Sequence, residues 1–155
     1  MSISIVEGDL LEAPEKYIGH QCNCTTIGNG AGLAKILFKK FPYADTYAHR
    51  KAPSEPGGYS IHGDGKADRF IVNFYSQYHP GKAKQKPDTR QARLEWLLSA
   101  MERFIRNEKV SELALPHGIG CGLAGGDWEV YWESLAQFAD KHEVTIKLYR
   151  LNVTS

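Results

Sequence analysis

The chain has 155 residues, 42% apolar and 24% charged, the composition of a single-domain globular protein that buries roughly 70% of the surface its unfolded form exposes. Its formal net charge is only +1, so long-range attraction to a nucleic acid or an anionic membrane is not a dominant force, and any anion site must be built from local donors. There is no signal-peptide pattern and no apolar run of membrane-spanning length, which predicts a cytoplasmic protein with no membrane contact.

Ser2 to Val6 alternates and is β-branched, which predicts a strand that turns out at Glu7-Gly8-Asp9-Leu10. Asp9 has two readings: a turn or cap residue, or an acceptor for a ligand amine at the C-terminal end of a strand. Tyr17 to Cys24 is a short apolar strand that runs into Thr25-Thr26-Ile27-Gly28-Asn29-Gly30-Ala31-Gly32. A helix over Leu33 to Phe41 follows, with Leu33, Ile36, Leu37 and Phe41 on one face and lysines on the other, and Pro42 ends it.

Residues 43 to 51 extend into a short helix. Tyr59 to Gly65 and Arg69 to Gln77 are two strands with a Gly-Asp-Gly turn signal between them, a hairpin. His79 to Lys86 is a basic loop carrying Lys82, Lys84 and Lys86, read either as solvated lysines or as a contact for a nucleic acid or phosphorylated partner. Asp88 and Gln91 have capping-box spacing, and an apolar face from Leu94 to Ile105 predicts the longest helix, as far as Asn107.

Glu112 to Leu115 is a strand that feeds Leu115 to Trp128, where five glycines fall within nine residues. Asp127 suits the cap of a last helix with Trp128, Tyr131, Leu135 and Phe138 on its buried face, and Val144 to Leu151 closes the chain as a strand. Strands and helices alternate without repeats, which predicts a single α/β domain over residues 1–155, a three-layer α/β/α arrangement around a mixed sheet. The two glycine-rich strand-to-helix turns form a pair. Two cradles of backbone amides at one sheet edge suit a ligand with two adjacent phosphates.

Three cysteines, Cys22, Cys24 and Cys121, are an odd number in a chain too large to need stapling, which fits reduced thiols. A zinc site built from His20, Cys22, Cys24, His117 and Cys121 would need a spacing unlike the usual Cys-x-x-Cys knuckles, and no metal is expected. The first strand ends without a Gly-x-Gly-x-x-Gly fingerprint, and no Gly-Lys-Ser/Thr follows either glycine turn. A nucleotide site here therefore needs a fold with two amide loops and no cationic anchor.

That combination resembles the macrodomain family over nearly the whole chain. Gly8-Asp9-Leu10 is similar to its adenine-binding strand end, and His20-Gln21-Cys22-Asn23 stands where the family has Asn-Ala-Ala-Asn. Gly30-Ala31-Gly32-Leu33-Ala34 resembles its first phosphate loop and Pro116 to Leu123 its second. The resemblance implies binding of ADP-ribose or its 1''-derivatives, free or carried on protein or nucleic acid, by a monomer that needs no metal or redox cofactor. By position, Gly8, Asp9 and Leu10 would hold the adenine and Asn23 the distal ribose. The backbones of Gly30, Ala31, Gly32 and Leu33, and of Pro116, Gly118, Ile119, Gly120, Cys121, Gly122 and Leu123, would hold the diphosphate and distal ribose.

Two subgroups differ in chemistry. Gly30 to Ala34, Phe38-Lys39-Lys40-Phe41 and Ile119 to Leu123 resemble the terminal ADP-ribose-protein glycohydrolases, which use a lysine after the middle strand and an aspartate after Gly-Cys-Gly-Leu. Gln77 and Ala124 stand at those places here, so a lysine-adduct mechanism is not expected. His20-Gln21-Cys22-Asn23-Cys24 is instead similar to the His-x-Cys-Asn-Cys run of ADP-ribose 1''-phosphate phosphatases. That resemblance implies a metal-independent phosphatase with Asn23 positioning the ribose and His20 as acid/base or nucleophile, histidine being the side chain with near-neutral pKa. His20 as a core histidine, and Asp127 as either water activator or helix cap, are the competing readings.

Overall fold

The structure, a computed structural model, describes residues 2–66, 68–84 and 86–151. Six strands form one sheet: β1 (Ile3–Glu7), β2 (Tyr17–Asn23), β3 (Tyr59–Gly63), β4 (Phe70–Gln77), β5 (Glu112–Pro116) and β6 (Thr145–Arg150). Their order across the sheet is β1-β6-β5-β2-β4-β3, parallel throughout except for β3, which pairs antiparallel with β4 as the expected hairpin. The sheet is therefore mixed, and the expected α/β/α layering holds.

The helices are α1 (Gly32–Lys40), α2 (Thr46–His49), α3 (Arg90–Glu108) and α4 (Trp128–His142). Because side chains alternate along a strand, β4 sends Val72 and Phe74 to the α3/α4 layer and Ile71 and Tyr75 to the α1/α2 layer. In β5, Leu113 and Leu115 face α3 and α4, while Ala114 faces the other way. Gly19 on β2 is required by this packing: a Cβ there would lie 2.5 Å from the Phe74 ring and 2.9 Å from Leu115.

Asp127 caps α4, accepting from the Glu129 amide at 3.1 Å. The capping box expected at Asp88 and Gln91 does not form. Thr89 caps α3, its hydroxyl accepting from the Ala92 amide at 3.0 Å, and Gln91 donates to Glu95 instead. Asp88 is turned back into the preceding loop, where it accepts from the amides of Tyr78 (2.7 Å) and His79 (3.0 Å) and from Arg93 Nε (3.0 Å). Burial alone would raise this carboxyl, but the two amides and the guanidinium outweigh it and hold it below the usual carboxylate range.

Arg93 is itself buried and spends its other donors on the carbonyls of Gly81, Ala124 and His79. One arginine thus ties the basic loop to the second glycine turn. Gln85, inside the loop read from the sequence as His79 to Lys86, lies outside the described residues.

Candidate functional site: a cleft between two glycine loops

β2 and β5 are neighbours in the sheet, yet the chain leaves β2 for α1 on one face and leaves β5 for α4 on the other. The two connections diverge and open a crevice at the C-terminal ends of the strands, the place where open α/β sheets bind ligands. A cleft of about 460 Å³ occupies it, with Asn29 to Ala34 on one wall and Pro116 to Gly120 with Gly122 to Ala124 on the other.

Backbone conformation explains the glycines. Gly118 (φ +80°) and Gly120 (φ +76°) lie in the left-handed region that side chains avoid. Gly120 also has no room, since a Cβ would stand 2.6 Å from the Tyr131 ring. The amides of Gly118, Gly120, Gly122 and Leu123 donate to no backbone carbonyl among the described residues. Opposite them, α1 begins at Gly32 with no side-chain cap, so its first-turn amides also remain unpaired within the helix. The site is a two-sided set of donors with a helix N-terminus on one side, suited to an anion.

The floor is made of amide side chains. Asn23 Oδ1 accepts from the amides of Thr25 (3.1 Å) and Thr26 (2.8 Å), which folds the first loop and leaves Nδ2 without a protein acceptor among the described residues. Its backbone is held from both sides: the amide donates to Tyr47 Oη at 2.8 Å, and the carbonyl accepts from Arg50 at 3.0 Å. Gln21 Nε2 donates to Gln77 Oε1 at 2.6 Å, and Gln77 Nε2 donates to the His79 carbonyl at 2.8 Å.

Several expected site residues come together here: Asn23, Gly30, Ala31, Gly32, Leu33, Pro116, Gly118, Ile119, Gly120, Gly122 and Leu123 all line the cleft. Gly8, Asp9, Leu10 and Cys121 do not. Asp9 stands exposed beyond β1, and its Oδ1 accepts from the Leu11 amide at 2.9 Å as a cap of a 3-10 turn. Cys121 lies behind the loop, its thiol pushed up to about 11 first by burial and then by Asp127.

Two catalytic candidates need correction. His20 is 1% exposed and lies on the opposite side of β2 from Gln21, because consecutive strand residues point to opposite faces. Its ring packs edge-on against Phe38, with centroids 5.2 Å apart. Asn73 donates from Nδ2 to the Ala44 carbonyl (2.9 Å), which turns Oδ1 toward His20 Nε2 at 2.6 Å and fixes the proton there. Burial lowers its pKa to about 4, partly offset by that hydrogen bond. His20 is thus a neutral core histidine outside the cleft lining. Asp127 is an exposed helix cap outside the cleft lining.

Sequence reasoning overlooked Gln21, Thr26, Tyr47 and His117, all on the cleft wall. His117 had a usable signal, standing between Pro116 and Gly118 at the end of a strand. It packs against Trp128 (centroids 4.7 Å apart), and burial, with Arg150 nearby, lowers its pKa. Tyr47, from α2, had no signal in the sequence, since its place depends on α2 folding back over β2. Among the described residues no group of three or more His, Cys, Asp or Glu is arranged to hold a metal. No helix of the described residues is long and apolar enough to cross a membrane.

No family model matches the chain. It is 27% identical over 153 residues to an uncharacterized 17.5 kDa protein of Enterobacteria phage T4, covering 94% of this chain and 96% of that one. It is 25% identical over 149 residues to the human ADP-ribose glycohydrolase OARD1, covering 96% of this chain and 91% of the human protein. Among solved structures, the macrodomain of Mycobacterium tuberculosis DarG superposes with a TM-score of 0.75 at 23% identity, over 97% of this chain and 98% of that one. Strand order, the paired glycine loops at the switch point and this superposition agree: the chain has the macrodomain fold.

Proposed function

We propose that this protein binds ADP-ribose in the cleft and hydrolyses a group carried on the distal ribose. The observation that carries the binding half is the facing pair of amide loops at the sheet's switch point, with the uncapped N-terminus of α1 on one side. In this reading the diphosphate spans Gly30 to Leu33 and Gly118 to Leu123, the distal ribose rests over Asn23, and the adenine extends toward Asp9. Charge-assisted hydrogen bonds of about 1.5–3 kcal/mol each supply affinity without a lysine or arginine in the cleft. The hydrolytic half is supported by the resemblance to an ADP-ribose glycohydrolase over nearly the full length of both chains.

ADP-ribose 1''-phosphate is the substrate to which the His20 to Cys24 run points, with acyl and ADP-ribosyl esters of the same ribose as alternatives. With His20 buried, the side chains under the ribose are the amides Gln21, Asn23 and Gln77, which orient a hydroxyl or a water and do not exchange protons. Water would add to the phosphoryl, acyl or anomeric centre while the bond to the leaving oxygen breaks, and that oxygen takes up the proton released by the water. A second reading, a module that binds without turnover, is favoured by the cleft lining: its titratable side chains are Tyr47 and His117, with no carboxylate.

Calorimetry with ADP-ribose, followed by incubation with ADP-ribose 1''-phosphate, O-acetyl-ADP-ribose and an ADP-ribosyl glutamate ester, tests the proposal. Release of phosphate, acetate or ADP-ribose identifies the substrate. Binding without any release leaves the second reading, and no binding of ADP-ribose overturns both.

A further inference from the structure

Arg50 is a buried cation without a counter-ion. It follows α2 directly, on extended backbone that ends the helix, and only 9% of its surface is exposed. No carboxylate pairs with it among the described residues. Asp45, at the start of α2, caps that helix through the Ala48 amide at 3.0 Å, and Glu55 lies exposed in the loop that follows.

Every acceptor of Arg50 is neutral. Nη1 donates to the Thr26 carbonyl (3.0 Å), and Nη2 donates to the Asn23 carbonyl (3.0 Å) and the Ser54 hydroxyl (2.9 Å). The guanidinium lies 5.3 Å from the centroid of the Tyr47 ring and 5.8 Å from that of Tyr75. Its Nε is buried and has no acceptor among the described residues. Carbonyl dipoles and aromatic faces ease the burial of a cation, but they do not cancel its charge. Neutral acceptors need only donors, so a formal charge buried among them carries a desolvation cost that the bracing of a loop does not explain.

That charge stands directly behind the cleft. Asn23, Thr26 and Tyr47, three of the groups it touches, all line the cleft, and no carboxylate among the lining residues offsets it. Arg50 itself is not part of the lining. Protein, not water, separates it from a ligand at the Asn23 end, so its field acts through a medium of lower dielectric and salt screens it weakly.

We propose that Arg50 is a specificity-determining residue: it makes the cleft discriminate by the charge of the group on the distal ribose, favouring an anionic substituent over a neutral one. The inference rests on the cleft binding ADP-ribose with its distal ribose over Asn23. Arg50 does not touch the substituent. It acts through the Asn23 to Thr26 backbone, which it also positions.

The test compares two ligands that the protein cannot turn over by releasing phosphate or acyl groups: the neutral 1''-O-methyl glycoside of ADP-ribose and its anionic 1''-phosphonate, whose phosphorus is bonded to carbon. Calorimetry measures both against the full chain and against R50Q and R50K, with thermal melts to verify folding. Wild type should bind the phosphonate at least about tenfold more tightly than the glycoside. In R50Q the ratio should fall to within about threefold of one, whereas R50K, which keeps the charge and loses the planar fork, should retain most of the preference. A residue that only braced the loop would weaken both ligands alike and leave their ratio unchanged. An unchanged ratio in R50Q therefore overturns the inference, and so does a ratio near one in wild type, which decides the matter even if R50Q fails to fold. Binding of both ligands without discrimination sinks this inference alone. If wild type binds neither ligand nor ADP-ribose itself, the cleft assignment fails and the inference falls with it.

Discussion

Gln21 and Gln77 are locked in one orientation by a carbonyl neither of them owns. The His79 carbonyl takes the Gln77 Nε2 proton at 2.8 Å, which turns Gln77 Oε1 to Gln21 Nε2 at 2.6 Å and points Gln21 Oε1 toward Gly120. That last oxygen is buried without a partner among the described residues. Replacing Gln77 with leucine should leave Gln21 Nε2 unpaired and the His79 carbonyl with Arg93 as its remaining donor, and destabilise the protein by about 1–3 kcal/mol. In the Gln21→Leu/Gln77→Leu double variant the loss should be smaller than the sum of the single losses, by about 0.5–3 kcal/mol in urea titrations. Simple additivity would mean that the pair is not coupled.

Asn23 separates two roles that one substitution can divide. Its Oδ1 braces the first loop through the amides of Thr25 and Thr26, while Nδ2 is the group left for a ligand. Asn23→Asp keeps the acceptor, so its melting temperature should stay close to wild type. Its ADP-ribose affinity should fall roughly 2-fold to 10-fold, the equivalent of one neutral hydrogen bond to a ribose hydroxyl. Asn23→Ala should lose both stability and affinity. Full affinity in the aspartate variant would take Asn23 out of the binding site.

Gly118 and Gly120 have nearly the same φ, yet alanine should act differently at the two positions. Each pays the left-handed backbone penalty of about 1–2 kcal/mol. At Gly118 the added methyl meets nothing within 4 Å, whereas at Gly120 it meets the Tyr131 ring at 2.6 Å and Gln21 Oε1 at 3.0 Å. Gly120→Ala should therefore unfold at the lower denaturant concentration, and it should lose more ADP-ribose affinity in calorimetry because the loop must shift. Equal midpoints for the two variants would show that the loop absorbs the methyl freely.

Burial of neutral His20 makes stability depend on pH. The folded state holds its pKa at about 4 against an ordinary value of 6.5, so between these values the unfolded chain binds more protons. This contribution is fully present above pH 6.5 and is lost as pH falls toward 4, on the order of 3 kcal/mol across that window. Denaturation of wild type and His20→Gln from pH 7 to pH 4 should give a shallower decline in the variant, whatever its stability at pH 7. Parallel curves would show that His20 is solvated.

Arg93 braces both the basic loop and the second glycine turn from a buried position, with Asp88 as its ionic partner. Arg93→Met should cost about 3–5 kcal/mol in denaturant titrations, because it leaves a buried carboxylate without its ionic partner and takes from the Gly81 carbonyl its donor among the described residues. The Arg93→Met/Asp88→Asn double variant should recover part of that loss. A single variant as stable as wild type would mean that water replaces the guanidinium.

The sequence by itself determined the order and type of the elements, the mixed α/β class and the position of both glycine loops. Each of these follows from local chemistry: periodicity of 2 or 3.6, proline and glycine punctuation, and the positive φ that only glycine adopts cheaply. Asp127 as a helix cap was legible for the same reason. Which side chains share the cleft was decided by the tertiary structure. His20 and Gln21 are neighbours in sequence and both polar, and only the assignment of β2's two faces sends the histidine under Phe38 and the glutamine toward Gln77, a residue 56 positions away. Asp88 carried a capping-box signal yet serves Arg93, because a buried guanidinium outcompetes a helix terminus that Thr89 can cap instead. Local propensity fixes what a residue is able to do, and the pairing of distant segments fixes which of those abilities is used.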